Sequence, residues 1–489
     1  MRKTYIYILI CSLSLFCTSC SFLKVKTVGK NTTEAFFLEY DALVTAGNGL
    51  HRMILDFYDD QYVRYAELMG DLLNIDLVNI SEGDNYLYNY EMSADLDSTY
   101  PFTLWRDGYV IVTNANNIIF YGPKLYELYP SQSAGINKVI GYAYFARALA
   151  HFCLCNCYAQ PYCYTEDASH LGVPFMDHIP GMDETIKRVS VAEVYDRVIE
   201  DLNEAVRLLG TENIPNPHYI SGIACEALLA RVYLYKEDWE NSRKYSESVM
   251  GKVALSPASE YVDMFRNASS VTGTEAIFRL DEYAAGSSMA KLCDPTDVRK
   301  IYPNPTFADS FDGDDIRKEL LTYIPEDCEN DIYKGNTYPA CCKHLYYKSI
   351  TDDKKQGTDP FVLRVSEMYL IHAEALAKGH SHDLAGAVED LKALIARARQ
   401  KEVSAISLPY TDEDSVDELI DEQRKKELCF EGHRIFDITR RKKDLKRPVT
   451  SNSKVLEVKY PSWRFVLPIS HQEMIANDSM IQNDGYEVY

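Results

Sequence analysis

The sequence predicts a mainly α-helical fold with one loop-rich region that holds a few short strands. Apolar and aromatic residues recur at helical spacing through residues 137–158, and residues 220–250 and 365–399 both have the pattern of two consecutive packed helices. Residues 275–347 lose this periodicity, and Pro, Gly, Asp and Tyr accumulate there instead. With 489 residues, 46% of them hydrophobic, the chain can bury a large core.

The N-terminus has the features of an export signal. Arg2 and Lys3 precede an apolar run, residues 6–16, which is too short to span a bilayer and has the length of a signal-peptide core. The run ends in small residues followed by Cys20, which resembles a bacterial lipobox. We therefore expect residues 1–19 to be removed as a lipoprotein signal peptide and a lipid on Cys20 to anchor the mature chain.

The first third of the chain begins with helices and continues with a tyrosine-rich segment. Residues 32–50 and 56–74 have helical patterns, whereas residues 75–102 are less periodic. The alternation of Tyr86, Tyr88 and Tyr90 would place three rings on one side of an extended strand or loop.

These three tyrosines, with Asn85, are candidates for a sugar-binding surface. Tyrosine rings can cover the apolar faces of a pyranose while amides bind its hydroxyls. The alternative is that the rings pack inside the protein, as in many tyrosine-rich strands.

The middle of the chain predicts a scaffold of stacked helices. Helical patterns fill residues 105–120, 137–158 and 191–209. Residues 220–250 have the sequence pattern of a tetratricopeptide-type helix pair. Residues 365–399 have the same sequence pattern. Such pairs cannot bury their apolar faces alone, so they must stack. Between them, residues 277–280 read as a short strand that leads into loops.

The composition argues against several classes of function. A net charge of -22 is unsuited to nucleic acid, which needs a basic surface. Cys153, Cys155, Cys157 and Cys163 invite a zinc site, but on a helix Cys155 points away from Cys153 and Cys157, so buried packing is the preferred interpretation. We expect no metal and no cofactor.

A stripe of ionised residues near the C-terminus continues an apolar helical face. It starts at Val416 and Ile420, and a buried stripe would require its charges to satisfy one another. The charged members are Arg424, Glu427, Glu431 and Arg434, which Asp437 and Arg440 extend. Neighbouring arginines favour the ionised carboxylates, which excludes Glu427 and Glu431 as a glycosidase pair. No nucleophile elbow, P-loop or zinc-protease motif occurs, so no catalytic residue is predicted.

Three segments resemble the SusD/RagB family of outer-membrane nutrient-binding lipoproteins. Residues 424–440, RKKELCFEGHRIFDITR, are similar to the family pattern R-x-x-E-L-x-x-E-G-x-R followed by F-D-x-x-R. Residues 105–116, WRDGYVIVTNAN, resemble its W-x-x-x-Y-x-x-I-x-x-A-N helix. Residues 463–486 match its closing pattern, F-x-L-P-I-x-x-x-E and then N-x-x-x-x-Q-N-x-G-Y.

The resemblance implies a SusD-like α-helical fold and a function. Residues 20–489 would form one nutrient-binding domain, with an N-terminal part at about 32–275, a loop-rich insertion at about 276–360 and a C-terminal helical part at about 361–489. The protein would be lipid-anchored on the surface of the outer membrane and would pass an oligosaccharide to a SusC-like TonB-dependent transporter.

The resemblance also adds ligand candidates and leaves alternatives open. It favours loop residues at the position of Tyr86, Tyr88 and Tyr90, and it adds further candidates in the loop-rich insertion. These are Tyr283 and Tyr302, then Asn304 and Tyr323. The alternatives to glycan binding are a peptide-binding importer of the same family, an exported glycan hydrolase and a tetratricopeptide adaptor that recognises protein.

Overall fold

The structure is a computed structural model, which describes residues 32–95, 100–181, 184–212, 216–266, 275–281, 288–294, 300–323, 338–344 and 359–486. Cys20, the export signal and Tyr283 lie outside the described residues. Within these ranges, no helix combines the length and apolarity of a membrane span.

Helices dominate the described chain, which confirms the predicted mainly α-helical fold. They are α1 Thr33–Phe36, α2 Tyr40–Phe57, α3 Arg64–Leu68, α4 Glu82–Tyr88, α5 Tyr100–Tyr121, α6 Leu125–Leu128, α7 Ser133–Tyr158, α8 Val191–Leu209, α9 Gly222–Tyr235, α10 Trp239–Met250, α11 Ala258–Tyr261, α12 Asp263–Arg266, α13 Ser288–Cys293, α14 Pro305–Ala308, α15 Val365–Lys378, α16 Leu384–Ala398, α17 Glu413–Glu427, α18 Arg434–Arg440 and α19 His471–Ala476.

The strands of the described residues are short and form two-stranded antiparallel pairs. The pairs are β1 Leu73–Ile75 with β5 Ile301–Pro303, β2 Leu171–Pro174 with β3 Arg188–Ser190, β4 Ala276–Arg279 with β8 Phe361–Arg364, β6 Thr322–Tyr323 with β7 Tyr338–Pro339, and β9 Leu445–Lys446 with β10 Glu457–Val458. The β1–β5 and β4–β8 pairs tie the loop-rich region to the helical scaffold.

Helix α7 is the centre of the packing, and α2, α5 and α8 lie against it. Gly108 allows α5 to approach closely, because a Cβ there would lie 2.9 Å from the side chain of Leu154. The buried Arg147 of α7 donates to Asp201 of α8 at 2.6 Å and to Asn116 of α5 at 2.7 Å. One guanidinium therefore joins three helices.

The two predicted helix pairs are present and stacked. Helices α9 and α10 form the first pair and α15 and α16 the second, and α10 packs against α15. Ser242 of α10 donates to the carbonyl of Ala230 in α9 at 3.2 Å, and Asp238 caps α10 by accepting from the Asn241 amide at 3.1 Å. Stacking buries faces that one pair alone would leave exposed.

The prediction of a single helix over residues 56–74 is wrong. A π-helical turn, Tyr58–Val63, separates α2 from the short α3, and the chain then becomes strand β1. The strand forms because its backbone pairs with β5, which lies more than 200 residues away in the sequence. Local periodicity could not indicate that pairing.

The charged stripe near the C-terminus is buried as predicted, but it is not one helix. Helix α17 ends at Glu427, and the chain turns before α18 with positive φ at Phe430 (65°) and Gly432 (85°). At Gly432 the turn lies close to Val63, which leaves little room for a side chain. The mutual pairing predicted within the stripe is present at Asp437, which binds Arg424 and Arg440, whereas the other charges pair with residues outside the predicted set.

The partners of Glu427 and Glu431 come from distant segments. Arg364, at the end of β8, donates to Glu427 at 2.8 Å and to Glu431 at 2.6 Å. Arg397 of α16 reaches Glu427 at 2.7 Å, and Lys343 reaches Glu431 at 2.5 Å. We call this cluster the buried charge network.

The arginines of the stripe form ion pairs both within the stripe and with helix α15. Arg424 donates to Asp437 at 2.9 Å, which is a pairing between two members of the predicted stripe. Arg440 bridges Asp437 and Glu374 of α15. Ion pairs between α15, α17 and α18 thus hold the second helix pair against the C-terminal helices.

Candidate ligand-binding surface

Strands β1 and β5 bring the two tyrosine-containing regions together. Asn74 lies opposite Tyr302 in the ladder, and the amide of Asp76 donates to the carbonyl of Lys300 at 2.8 Å. Hydrogen bonds make neighbours of the loop 76–81, helix α4, strand β5 and the turn 448–453. We call the solvent-exposed side of these four segments the tyrosine surface.

An amide network fixes the edge of the tyrosine surface. Asn304 donates to the side-chain oxygen of Asn74 at 3.0 Å, and Asn74 donates to the carbonyl of Thr450 at 3.0 Å. The hydroxyl of Thr450 donates back to Asn304 at 2.7 Å, and Asn452 donates to the carbonyl of Ile75 at 2.6 Å. Three segments that are distant in sequence are thereby locked together.

Two of the three predicted tyrosines are buried. Tyr88 is 0% exposed, its hydroxyl lies 2.9 Å from the hydroxyl of Ser451, and the guanidinium of Arg447 stacks 4.3 Å from its ring centre. Tyr90 is 7% exposed and donates to the carbonyl of Met69 at 2.5 Å. Both rings therefore pack inside the protein, as the alternative interpretation of this segment predicted.

The expected extended arrangement of these tyrosines is wrong, because residues 82–88 form helix α4. Ser81 caps the helix by accepting from the Asp84 amide at 3.2 Å. The carboxylate of Asp84 is buried and binds Arg64 of α3, which attaches α4 to the scaffold. The Ser81-x-x-Asp84 spacing was the readable helix signal that the tyrosine alternation obscured.

Tyr86, Asn85 and Tyr302 remain at the surface and are partly buried. The hydroxyl of Tyr86 donates to Glu82 at 2.5 Å, and this bond raises the pKa of the phenol. The side-chain oxygen of Asn85 accepts from the side-chain NH2 of Asn89 at 2.8 Å, so the NH2 group of Asn85 takes no part in this bond. These three side chains combine ring faces with hydrogen-bonding groups.

Exposed aliphatic side chains border the same face. Val78 is 87% exposed in the loop before α4, with Leu77 beside it, and Val449 is 92% exposed in the turn that the amide network holds. The sequence had not singled them out. Exposed aliphatic groups next to partly exposed rings extend the apolar area available to a ligand.

The remaining candidates have other positions. Asn304 is fully buried and caps α14 by accepting from the Thr306 amide at 2.9 Å, so its role here is structural. Tyr323 lies in β6, opposite Tyr338 of β7.

A cleft of about 530 Å³, which the sequence did not predict, opens beside α5. Helix α5 supplies Tyr109, Val110 and Asn114, and the opposite sides come from residues 174–180, residues 184–186 and α19. Tyr109 donates to the carbonyl of Pro174 at 2.7 Å, which sets one wall. The Trp105 and Tyr109 motif positions were recognisable in the sequence, but their cleft was not.

The carboxyl of Glu473 is partly buried in this cleft. Burial raises the pKa of Glu473, while hydrogen bonds with Trp105 and Asn477 lower it, and the net change is upward. Asn477 also donates to the carbonyl of Ile186 at 3.0 Å, which joins α19 to the opposite wall. A second carboxyl, that of Glu184, also lines the cleft, and hydrogen bonds from the Gly181 amide and from His178 lower its pKa.

The buried acids and cysteines are structural in the described part of the chain. Burial by itself raises the pKa of Glu427, but Arg397, Arg364 and Arg317 outweigh it and hold the pKa well below its ordinary value. Such a group cannot serve as a general acid. Cys163 donates to the carbonyl of Arg440, and within the described ranges no three His, Cys, Asp or Glu side chains are grouped to hold a metal ion.

Comparison with known families agrees with this architecture. A family model described as the SusD family matches residues 240–486, just over half of the chain. The chain belongs to the SusD family. A second model, described as starch-binding and associating with the outer membrane, matches residues 50–234 of this SusD-family protein.

Relatives of this SusD-family protein extend over nearly its whole length. SusD-like protein P2 of Formosa agariphila is 24% identical over 540 aligned positions, which cover 99% of this chain and 100% of the relative. A putative sugar-binding protein from Bacteroides vulgatus has a TM-score of 0.77 and 25% identity, and the match covers 91% of this chain and 98% of that one. A laminarin-binding SusD-like protein shares the fold, with a TM-score of 0.70, 18% identity and coverage of 92% and 100%.

Proposed function

We propose that this protein is a cell-surface lipoprotein that binds an oligosaccharide and delivers it to a SusC-like TonB-dependent transporter. Membership of the SusD family supports glycan binding, as do relatives named as sugar-binding and laminarin-binding proteins. The lipid anchor at Cys20 and the outer-membrane location belong to this proposal. The domain boundaries expected from the sequence, with residues 20–489 as one binding domain, belong to it as well.

The observation that carries the proposal is the construction of the tyrosine surface. The amide network joins residues near Asn74, Asn304 and Thr450 into one rigid edge, and Tyr86 and Tyr302 lie beside it. Rigid placement of rings lowers the entropy cost of binding. Rings with adjacent amides suit the alternating apolar faces and hydroxyls of a sugar.

Binding without hydrolysis follows from the same geometry. The carboxyls of Asp76 and Glu82, which border the tyrosine surface, accept local hydrogen bonds from the Val78 amide at 2.9 Å and from Tyr86 at 2.5 Å, which argues against their use as a glycosidase pair. Incubation of the purified protein with a glycan panel is expected to release no reducing ends. Release of reducing ends, abolished by substitution of Glu473→Gln, would instead assign hydrolysis to the cleft.

Substitution of Tyr86→Ala is expected to weaken glycan affinity about 5- to 10-fold, because one stacked ring is lost while the fold is unchanged. Isothermal titration calorimetry or affinity electrophoresis against a glycan panel measures this change. The melting temperature should fall only slightly, since Tyr86 is only partly buried against the core and its hydroxyl bonds Glu82 of its own helix.

Two matched variants control this experiment. Tyr410→Ala removes an exposed tyrosine from the C-terminal part, and Asn114→Ala alters the cleft beside α5. Both should bind glycan normally. Loss of binding in Asn114→Ala with normal binding in Tyr86→Ala would move the site to the cleft. Binding of peptides with no response to any glycan would assign the protein to the peptide-importing branch.

A further inference from the structure

Two buried cysteines meet inside the loop-rich region. Cys293 is the last residue of α13, and Cys341 follows strand β7. Both are fully buried free thiols in this structure, and they lie close enough together for Cys293 to raise the pKa of the Cys341 thiol. Helix α13 also lies against the turn Cys342–His344, so the two backbones run close together at this point.

The two segments are anchored on opposite sides of this contact. On the Cys293 side, the carbonyl of Leu292 accepts from Lys300 at 2.9 Å, and Lys300 bonds to Asp76 beside β1. On the Cys341 side, Lys343 donates to the carbonyl of Glu427 at 2.6 Å, within the buried charge network. The contact therefore lies between the tyrosine surface and that network.

We propose that Cys293 and Cys341 form a disulfide in the exported protein, an inference that rests on the export included in the proposed function. The cross-link would close a loop of about 50 residues and tie the tyrosine surface to the buried charge network. Secreted and periplasmic proteins retain such bonds because their surroundings are oxidising.

Neighbouring cysteines are poorer partners for Cys341. Cys342 is adjacent in the chain, and consecutive Cα atoms are about 3.8 Å apart, which is shorter than the separation that an unstrained disulfide spans. Cys429 lies nearby but directs its thiol to the carbonyl of Lys426 at 3.4 Å. Cys293 thus has the thiol best placed for the bond.

The oxidation takes two electrons and two protons from the two thiols and forms one S–S bond. A disulfide oxidant accepts them: a thiolate attacks its S–S bond, and the second cysteine then resolves the mixed disulfide and releases the reduced oxidant. In the cell the oxidant would be a disulfide-bearing oxidoreductase. Burial raises the pKa of the Cys341 thiol well above its ordinary value, so we expect the bond to form during folding, before the site closes.

Peptide mapping tests the proposal on the full-length protein. The chain is exported with its own signal, purified without reductant, alkylated under denaturing conditions and digested. We expect a linked pair of peptides that contains Cys293 and Cys341, which persists in Cys342→Ser and disappears in Cys341→Ser. The same mapping after refolding in a mixture of reduced and oxidised glutathione tests the bond independently of export.

Thermal unfolding gives a second readout. Reductant should lower the melting temperature of the wild-type protein by about 4 °C, the effect of opening a loop of this length in a chain of this size. It should not change that of Cys293→Ser. The matched control is Cys225→Ser, a buried thiol of α9, which should keep the full response to reductant.

Alkylation of both thiols after export and after glutathione refolding would overturn the proposal, as would a link from Cys341 to Cys429. Glycan binding is measured on the same samples. A linked protein that binds no glycan would leave the disulfide established and reject the proposed function, and an unlinked protein that binds glycan would do the reverse.

Discussion

Glu431→Ala should lower the free energy of unfolding by about 3–5 kcal/mol, because it breaks a buried, hydrogen-bonded charge cluster. Glu431 is 6% exposed and accepts from Lys343 at 2.5 Å and from Arg364 at 2.6 Å. Without the carboxylate, the Lys343 ammonium and part of the Arg364 guanidinium would lie in the core without adequate compensation. Urea unfolding and thermal melting measure the change.

The matched control for Glu431→Ala is Glu422→Ala. Glu422 is half exposed in helix α17 and pairs with the largely buried Lys426 at 2.7 Å, so its loss should cost about 1 kcal/mol, well below the change at Glu431. Glycan affinity of the folded fraction should be normal in both variants. A folded Glu431→Ala protein with an unchanged melting temperature and lost glycan binding would contradict the structural role of Glu431.

Relative to wild type, the free energy of unfolding of Glu67→Gln should rise by about 2–3 kcal/mol between pH 5 and pH 8. Glu67 is buried in α3, where burial raises the pKa of its carboxyl to about 7. One carboxyl oxygen accepts from the Gly432 amide at 2.9 Å, and the other has no hydrogen-bond partner among the described residues.

The sign follows from the proton that Glu67 binds on folding. Because the folded pKa exceeds the unfolded value of 4.5, the folded state holds the proton more tightly, and stability is lost as pH rises from about 4.5 through about 7. Glutamine keeps the oxygen that accepts from Gly432 and carries no charge at any pH. The variant should therefore escape this loss, and the difference between the two proteins should level off above about pH 8.

Urea unfolding of Glu67→Gln and wild type at pH 5, 6, 7 and 8 measures this difference. Because the two proteins differ only at residue 67, the difference between their curves reports the titration of Glu67 together with its electrostatic coupling to Glu431. Glu422→Gln, which removes a half-exposed carboxylate, is measured alongside as the control for loss of a carboxylate outside the core. A curve for Glu67→Gln parallel to wild type would show that Glu67 is ionised in the folded protein at neutral pH.

Sequence periodicity predicted the scaffold because each helix carries its own pattern. The helix predicted over residues 191–209 has those bounds in the structure, and both tetratricopeptide-type pairs are present. An apolar stripe repeats every three to four residues regardless of what it packs against, so the pattern is readable in a single segment.

The tyrosine-rich segment shows where local interpretation failed. Tyr86, Tyr88 and Tyr90 alternate as in a strand, yet Ser81 starts a helix there, and its turn carries Tyr88 and Tyr90 into the core. The rings are buried because β1 pairs with β5 and the turn 448–453 covers them. No pattern within residues 75–102 contains that information.

The sequence by itself determined the family, the helical scaffold and the burial of the charged C-terminal stripe, because these depend on residue type and spacing within short segments. Only the tertiary structure decided the partners of those charges and the composition of the tyrosine surface. Glu431 binds Lys343 and Arg364, and Asn74 binds Asn304, across long separations in the chain. Pairing over such distances depends on how whole elements pack, which local spacing does not encode.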